Sequence, residues 1–327
     1  MKILLQEYKG ILLSTLIGLI TYFSADYFGI ALGSILLALL LGMLLGNVLA
    51  LPSSFQSGIS FTSGKLLELS ILFLAFSINY KHIALLGPLS FSIIAVIVFL
   101  MLLITYFLAN RINCPTSSGW LIGFGTTICG SSAIAALAPS IAKNKDDVAI
   151  SMAVVNLFGS IGMIVLPIVF RSFELSNAQM GFILGGGLHS VGNVAGAAFA
   201  INNDVGVAAI TMKLARVALL SPALIFFNYL INRKNVTNWK QHFKLPWYLW
   251  SFILITILIS FIHLPKQFLV VMDTTGKIIL TIAMAAIGLK VSFRQLLTSG
   301  KRGVGFGLII FLIMLLLLSG GMLLIES

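Results

Sequence analysis

Three short stretches of an otherwise apolar chain hold the residues able to do chemistry. Residues 123–139 read GFGTTICGSSAIAALAP and bring Thr126, Thr127, Cys129, Gly130, Ser131 and Ser132 together. A helix that breaks near Cys129-Gly130 restarts at about Ser131, and the amides and dipole of that second half-helix attract an anion. Residues 185–196, GGGLHSVGNVAG, hold His189, Ser190 and Asn193 among five glycines. His189 and Asn193 are four apart and share a helical face. The imidazole can bind an anion when protonated or carry a coupling proton, and Asn193 offers both a donor and an acceptor. Residues 211–222, TMKLARVALLSP, carry Lys213 and Arg216, three apart on one face. A cation inside a span costs roughly 2.5–3.5 kcal/mol on insertion scales, so it faces a cavity or a partner. Each stretch also has a plainer reading. Small residues suit close helix packing, a histidine can bond a neighbouring carbonyl, and Lys213 can snorkel to the interface.

Two more residues join this set. Glu68 is the main acid candidate within the membrane, either as a coupling group, as a partner for Lys213 or Lys290, or as an interfacial residue. Asn156 is a site-lining amide. Asp146 and Asp147 stand where acids stabilise a helix start. No metalloprotease, P-loop or G-x-S-x-G motif occurs. A Ser131–His189 hydrolase pair has nothing in the sequence to support it, so the expectation is a non-enzyme. Two cysteines, Cys114 and Cys129, imply neither a disulfide framework nor a metal cluster.

The elements that position these residues follow from composition. The chain has 327 residues, 59% hydrophobic and 9% charged, against about a quarter charged in a soluble domain. That specifies an all-α polytopic membrane protein, since the apolar runs are continuous rather than alternating as in a barrel. The net charge of +11 is read as basic cytoplasmic loops, not nucleic-acid binding, because Lys/Arg–aromatic clusters are lacking. Eleven transmembrane helices are expected, at 10–27, 30–49, 66–78, 89–109, 119–139, 148–170, 180–201, 205–231, 245–262, 276–289 and 303–325. Residues 1–28 add an N-terminal span to two halves, 30–170 and 180–327. The N-terminal run is taken as a span, not a cleavable signal. With the N-terminus inside, thirteen Lys and Arg lie on the cytoplasmic side against five opposite, so the C-terminus is expected outside.

Two internal echoes suggest inverted repeats with discontinuous helices crossing near mid-membrane. Residues 74–87, LAFSINYKHIALLG, resemble residues 287–300, IGLKVSFRQLLTSG. Residues 125–138, GTTICGSSAIAALA, align with residues 185–198, GGGLHSVGNVAGAA, at an offset of 60. The second echo conflicts with inversion, because one span between two crossings makes them run in the same sense. An off-by-one count, a re-entrant stretch or a merely compositional likeness would each resolve it.

The blocks TTICGSSAIAALAPSIAKNKDDVAISMAVVNLFGSIGMIVLPIV, GGGLHSVGNVAGAAFA with TMKLARVALLSPALI, and MAAIGLKVSFRQLL together resemble the YeiH-like family of bacterial inner-membrane proteins labelled sulfate exporters. The resemblance runs from about Gly33 to the C-terminus. More distantly, residues 74–169 resemble bile acid:sodium symporters and the cation/proton antiporter–anion transporter group, where the segment matching 129–142 crosses as a broken helix at the substrate site. The resemblance implies alternating-access transport of sulfate, another sulfur oxyanion or an organic sulfonate, with Na+ or H+ as the coupling ion and no other cofactor. Where the family commonly has His-Glu-Val, this chain has His189-Ser190-Val191, which removes a carboxylate from coupling there. A cation/proton antiporter is the alternative, with a receptor or intramembrane enzyme behind it. The expected partners are a small anion and the lipid bilayer, with a homodimer as a candidate assembly.

Overall fold

The computed structural model describes residues 2–27, 33–49, 51–76, 80–111, 116–143, 145–170, 172–231, 247–262, 264–291 and 301–325. All regular structure among them is helical, which is how an apolar chain satisfies its backbone away from water. In order the helices are α1 (Lys2–Tyr27), α2 (Gly33–Val48), α3 (Ser53–Phe61) leading through a π-turn into α4 (Leu67–Ala75), α5 (Tyr80–Arg111), α6 (Thr116–Thr127), α7 (Ser131–Ile141) and α8 (Lys145–Phe170). They continue as α9 (Asn177–Gly187), α10 (Val191–Phe199), α11 (Asn203–Ala218), α12 (Leu220–Ile231), α13 (Trp247–Phe261), α14 (Lys266–Lys290) and α15 (Lys301–Met322). Among the described residues, five stretches are long and apolar enough to cross a membrane: Ser53–Ala75, Gly87–Arg111, Asp146–Phe170, Lys266–Lys290 and Arg302–Met322. The α11–α12 pair, bent by 44°, makes a sixth. The fold is an all-α polytopic one.

The chain forms two compact units. The first takes Met1–Leu85, Ala195–Val207 and Trp247–Phe293. Glycines let its helices touch: Gly42 of α2 lies against the Ala285 backbone of α14, and Gly288 lies against Leu39 and Met43. Two of its helices outrun their expected spans. Residues 66–75 of the one and 276–289 of the other are parts of Ser53–Ala75 and Lys266–Lys290, and 77–78 lie outside the described residues. Each extension carries a charge paired along the helix with one at the start of the expected span, Asp273 with Lys277 at 2.6 Å and Lys65 with Glu68 at 3.0 Å. Such pairs depress a hydropathy average without ending a helix.

The second unit takes Leu86–Val194, Ala208–Pro246 and Arg294–Ser327. Ser117 and Ser118, early in α6, donate to the Asp147 carboxylate at the start of α8, at 2.7 and 2.8 Å. Past the end of α6, Ser131 Oγ donates to Asn156 Oδ1 at 2.9 Å. So α6 and α8 run in the same sense. Helix α7 starts beside Asn156 and ends just before α8 begins, and therefore returns antiparallel to α6. Gly125 accordingly packs on the Ile134 side chain, nine residues on, which an unbroken helix would place roughly 13.5 Å along its axis.

Helices α9 and α11 also run in the same sense, with Gly181 against Ala208, Gly185 against Ala209 and Met212, and the Leu188 carbonyl on Lys213. The chain between Gly187 and Asn203 has to return, and α10 carries it. Residues 119–139 and 180–201, expected as two crossings, are therefore helical hairpins that double back. The break near Cys129-Gly130 was legible in the sequence; the one at 188–190 was not, and it takes His189 off the helix on which it was expected to share a face with Asn193. The direction taken after a break is not written in hydropathy.

The hairpins approach α8 from opposite ends. Hairpin α6–α7 lies along the first half of α8. The tip of hairpin α9–α10 meets α8 at Gly159, which packs on His189 and Asn193, and at Gly162, which packs on Leu188. Each hairpin is followed by a longer helical stretch, α8 or α11–α12. Hairpin plus stretch thus repeats at an offset of 60 in inverted sense, and the parity conflict disappears because a hairpin leaves by the side it entered. Of the other echo, 74–87 with 287–300, residues 77–79 and 292–300 lie outside the described residues.

Candidate functional site at two hairpin tips

The tips are residues 128–130 and 188–190. At the first, Gly130 has φ 74 and ψ −135, a region open in practice only to glycine, and it stands against the backbone and Cβ of His189. At the second, Ser190 begins α10 and its Oγ accepts the Asn193 amide at 3.1 Å, a standard N-cap bond. Four half-helix ends meet here, the C-termini of α6 and α9 and the N-termini of α7 and α10.

Lys213 and Arg216 serve the C-termini. Both are fully buried. Lys213 Nζ donates to the Ile128 and Leu188 carbonyls, each at 2.8 Å, joining the two tips. Arg216 Nε reaches Thr127 O at 3.0 Å, and Nη2 reaches Thr126 O and Thr127 O at 2.6 Å. Its Nη1 donates to Gly186 O, with Leu188 O at 3.2 Å and Gly185 O at 3.4 Å. The last carbonyls of a helix lack intrahelical donors and concentrate about half a negative charge. A guanidinium with five fixed donors answers both needs at once.

The N-termini are served differently. Helix α7 has no side-chain cap. Around it Ser131 holds Asn156, while Ser132 Oγ bonds Cys129 O at 3.1 Å and contacts Cys129 Sγ at 3.0 Å. Ser132 and Asn156 are exposed, whereas His189 and Asn193 are buried. The hydroxyls of Thr126 and Thr127 turn back onto Ile122 O and Gly123 O, so they serve helix α6 itself. Glu68 belongs to the first unit, where it takes Lys65 at 3.0 Å and the Trp247 indole at 2.8 Å. Lys290, on α14, donates to Ser63 at 3.4 Å.

The family model "Conserved hypothetical protein 698" matches residues 9–307. The chain belongs to that family. Among similar curated proteins, a UPF0324 membrane protein of Helicobacter hepaticus is 31% identical over 80% of each chain. One of Bartonella henselae is 30% identical over 90% of this chain and 86% of its own. One of Lactococcus lactis is 29% identical over 91% and 93%. A solved structure, the sodium proton antiporter MjNhaP1 of Methanocaldococcus jannaschii at pH 8, aligns over 94% of this chain and 99% of its own, with 14% identity and a TM-score of 0.27. At that score the alignment carries no functional argument.

The structure brings Thr126, Thr127, Cys129, Gly130, Ser131, Ser132, Asn156, His189, Ser190, Asn193, Lys213 and Arg216 to one place, in one unit. Sequence reasoning missed Gly159, whose missing side chain admits Asn193, and Phe311, whose ring lies 5.1 Å from that of His189. The small-residue spacing of Gly159 and Gly162 in α8 was the available sign of the first. One of two Phe in a Leu-rich helix gives no sign.

Proposed function

We propose that the chain is a secondary transporter of a small anion, namely sulfate, another sulfur oxyanion or an organic sulfonate, bound at the hairpin tips and moved by alternating access. The observation that carries this reading is the sign of the charge. Lys213 and Arg216 bring two positive charges to the tips, and residues 116–141 and 177–199, the two hairpins, contain no Asp or Glu. The α6 and α9 C-termini offset roughly half a charge each, and the α7 and α10 N-termini add about as much again. A positive surplus remains, with no carboxylate to hold a cation.

The anion sits at the uncapped start of α7, where the amides of Ser131 to Ala133 and the Asn156 side-chain amide converge; the Ser131 and Ser132 hydroxyls, bonded to Asn156 Oδ1 and Cys129 O without it, turn to the anion when it binds. The Arg216 donors are all engaged by carbonyls, so Arg216 acts as a positioning residue, with Lys213 tying the tips. The chain is thus a carrier and not an enzyme.

In the bacterial inner membrane this reading gives nine crossings and two re-entrant hairpins, with the N-terminus cytoplasmic and the C-terminus extracytoplasmic. Lys143 then joins Arg111 on the cytoplasmic side, and Glu174 lies opposite, in keeping with the positive-inside bias. Single cysteines placed at Lys143 and Glu174 and labelled from one side should respond oppositely. Eleven crossings would exchange the two results.

The deciding experiment is counterflow in proteoliposomes of purified protein. It uses sulfate, sulfite, thiosulfate, taurine, short carboxylates and phosphate, with and without sodium and a pH gradient. Saturable exchange of a sulfur oxyanion or sulfonate is expected. Absence of exchange for every anion refutes the reading.

A further inference from the structure

His189 is 1% exposed, and among the described residues neither its Nδ1 nor its Nε2 has a hydrogen-bond partner. No other described residue leaves two buried side-chain polar atoms unsatisfied. Such a group costs free energy unless something outside the protein completes it. Its position explains what that is. The Leu188 carbonyl before it is held by both Lys213 and Arg216. Gly130, the cap residue of α7, packs on its backbone and Cβ, and Gly159 of α8 packs on its Cβ.

The titratable and charged groups on the surrounding elements are few. The first tip offers the Cys129 thiol, and α11 offers Lys213 and Arg216. Helix α8 carries Lys145, Asp146 and Asp147 only at its start, where Asp147 is bound to Ser117 and Ser118, and α11 has Asp204 in its first turn. Helix α15 carries Lys301 and Arg302 at its start and presents Phe311 to the ring, and α9 and α10 carry no other ionisable residue. A protonated imidazole here has two N–H groups without acceptors and two cations on the adjacent helix. An anion at the tips reverses both conditions, since it accepts a hydrogen bond and offsets the cations.

We infer that His189 takes up a proton when the anion binds, so that anion and proton move together. This rests on the anion reading of the same site. The proton enters with the anion from one aqueous side, adds to the free ring nitrogen and leaves with the anion on the other. By thermodynamic linkage, each raises the other's affinity by the same factor.

The test uses purified protein with sulfate and thiosulfate, whose own charges do not change across the neutral range. A pH indicator in weakly buffered solution counts protons taken up per anion bound, and affinity is measured against pH for the wild type and for His189→Gln. The expected wild-type result is uptake of about one proton, with affinity weakening by up to about tenfold per unit rise in pH. In His189→Gln, anion affinity should fall to the weak plateau that the wild type reaches at high pH, with no proton uptake and no dependence on pH. The wild-type count stands even where the variant does not fold. Sulfate binding with no proton uptake overturns the inference while counterflow upholds the transport reading, and uptake retained in His189→Gln also overturns it. Absence of both binding and counterflow for every anion tested overturns both.

Discussion

Hairpins α6–α7 and α9–α10 are copies at an offset of 60 that have come to differ in one limb. Their first limbs are alike: 121–127 and 181–187 are buried along their length, and both end on carbonyls held by Arg216. The second limbs diverge. Helix α7 exposes Ser132, Ala135, Pro139 and Ser140, and its start is uncapped. Helix α10 is buried from Val191 to Ala198, and Ser190 caps it. A half-helix start that is buried and capped is an anchor. One that is exposed and uncapped can give its amides to something that comes and goes. The repeat presents two equal dipoles, and packing makes one of them structural.

The largest expected effect removes what the copies share. Arg216→Ala strands carbonyls of both hairpins and should cost on the order of 3–5 kcal/mol, read as a lower thermal midpoint in detergent together with lost anion exchange. An unchanged midpoint would show that the guanidinium does not hold the tips. Gly185→Ala attacks the anchoring copy alone. The new methyl meets the Ala209 carbonyl and Met212 Cβ, and about 1–3 kcal/mol of destabilisation is expected. Gly130→Ala strains the other copy through its positive φ with no close contact, since the nearest atoms are at 3.6 Å, at a cost of about 1–3 kcal/mol. The smallest and sharpest pair is Ser190→Ala against Ser132→Ala. The first should lower stability by about 1 kcal/mol and leave half-saturation for the anion unchanged. The second should raise half-saturation by up to about tenfold and leave stability unchanged. Equal behaviour of the two serines would erase the distinction between the limbs.

Much of this was legible in the residues. A Gly-Ser cluster inside an apolar run marks a break, a repeat at fixed spacing marks a duplication, and two cations three apart must share a partner. The partner itself was not legible. A buried cation can hold a ligand or a row of carbonyls, and only the backbone path decides, as it does at Thr126, Thr127 and Gly186 for Arg216. Nor was the return of α7 and α10 legible, because a nine- or eleven-residue apolar helix has the same composition whether it goes on or comes back. The polar helix starts at Ser53 and Lys266 escaped for a third reason. Hydropathy averages score Asp273 and Lys277 as two charges, where the fold makes them one pair.

Lys213 and Arg216 lie within one turn of a single helix, and between them they hold six carbonyls drawn from both hairpins. Directly after Arg216 the helix bends by 44° toward α12, a joint at which α11 can swing while α12 stays in place. Any swing carries both tips at once. The two tips are then one rigid part, so shifting one without the other would require stripping a guanidinium from its carbonyls. If the tips are the gates of the proposed carrier, its leak-tightness comes from linkage between them rather than from a tight fit at either one.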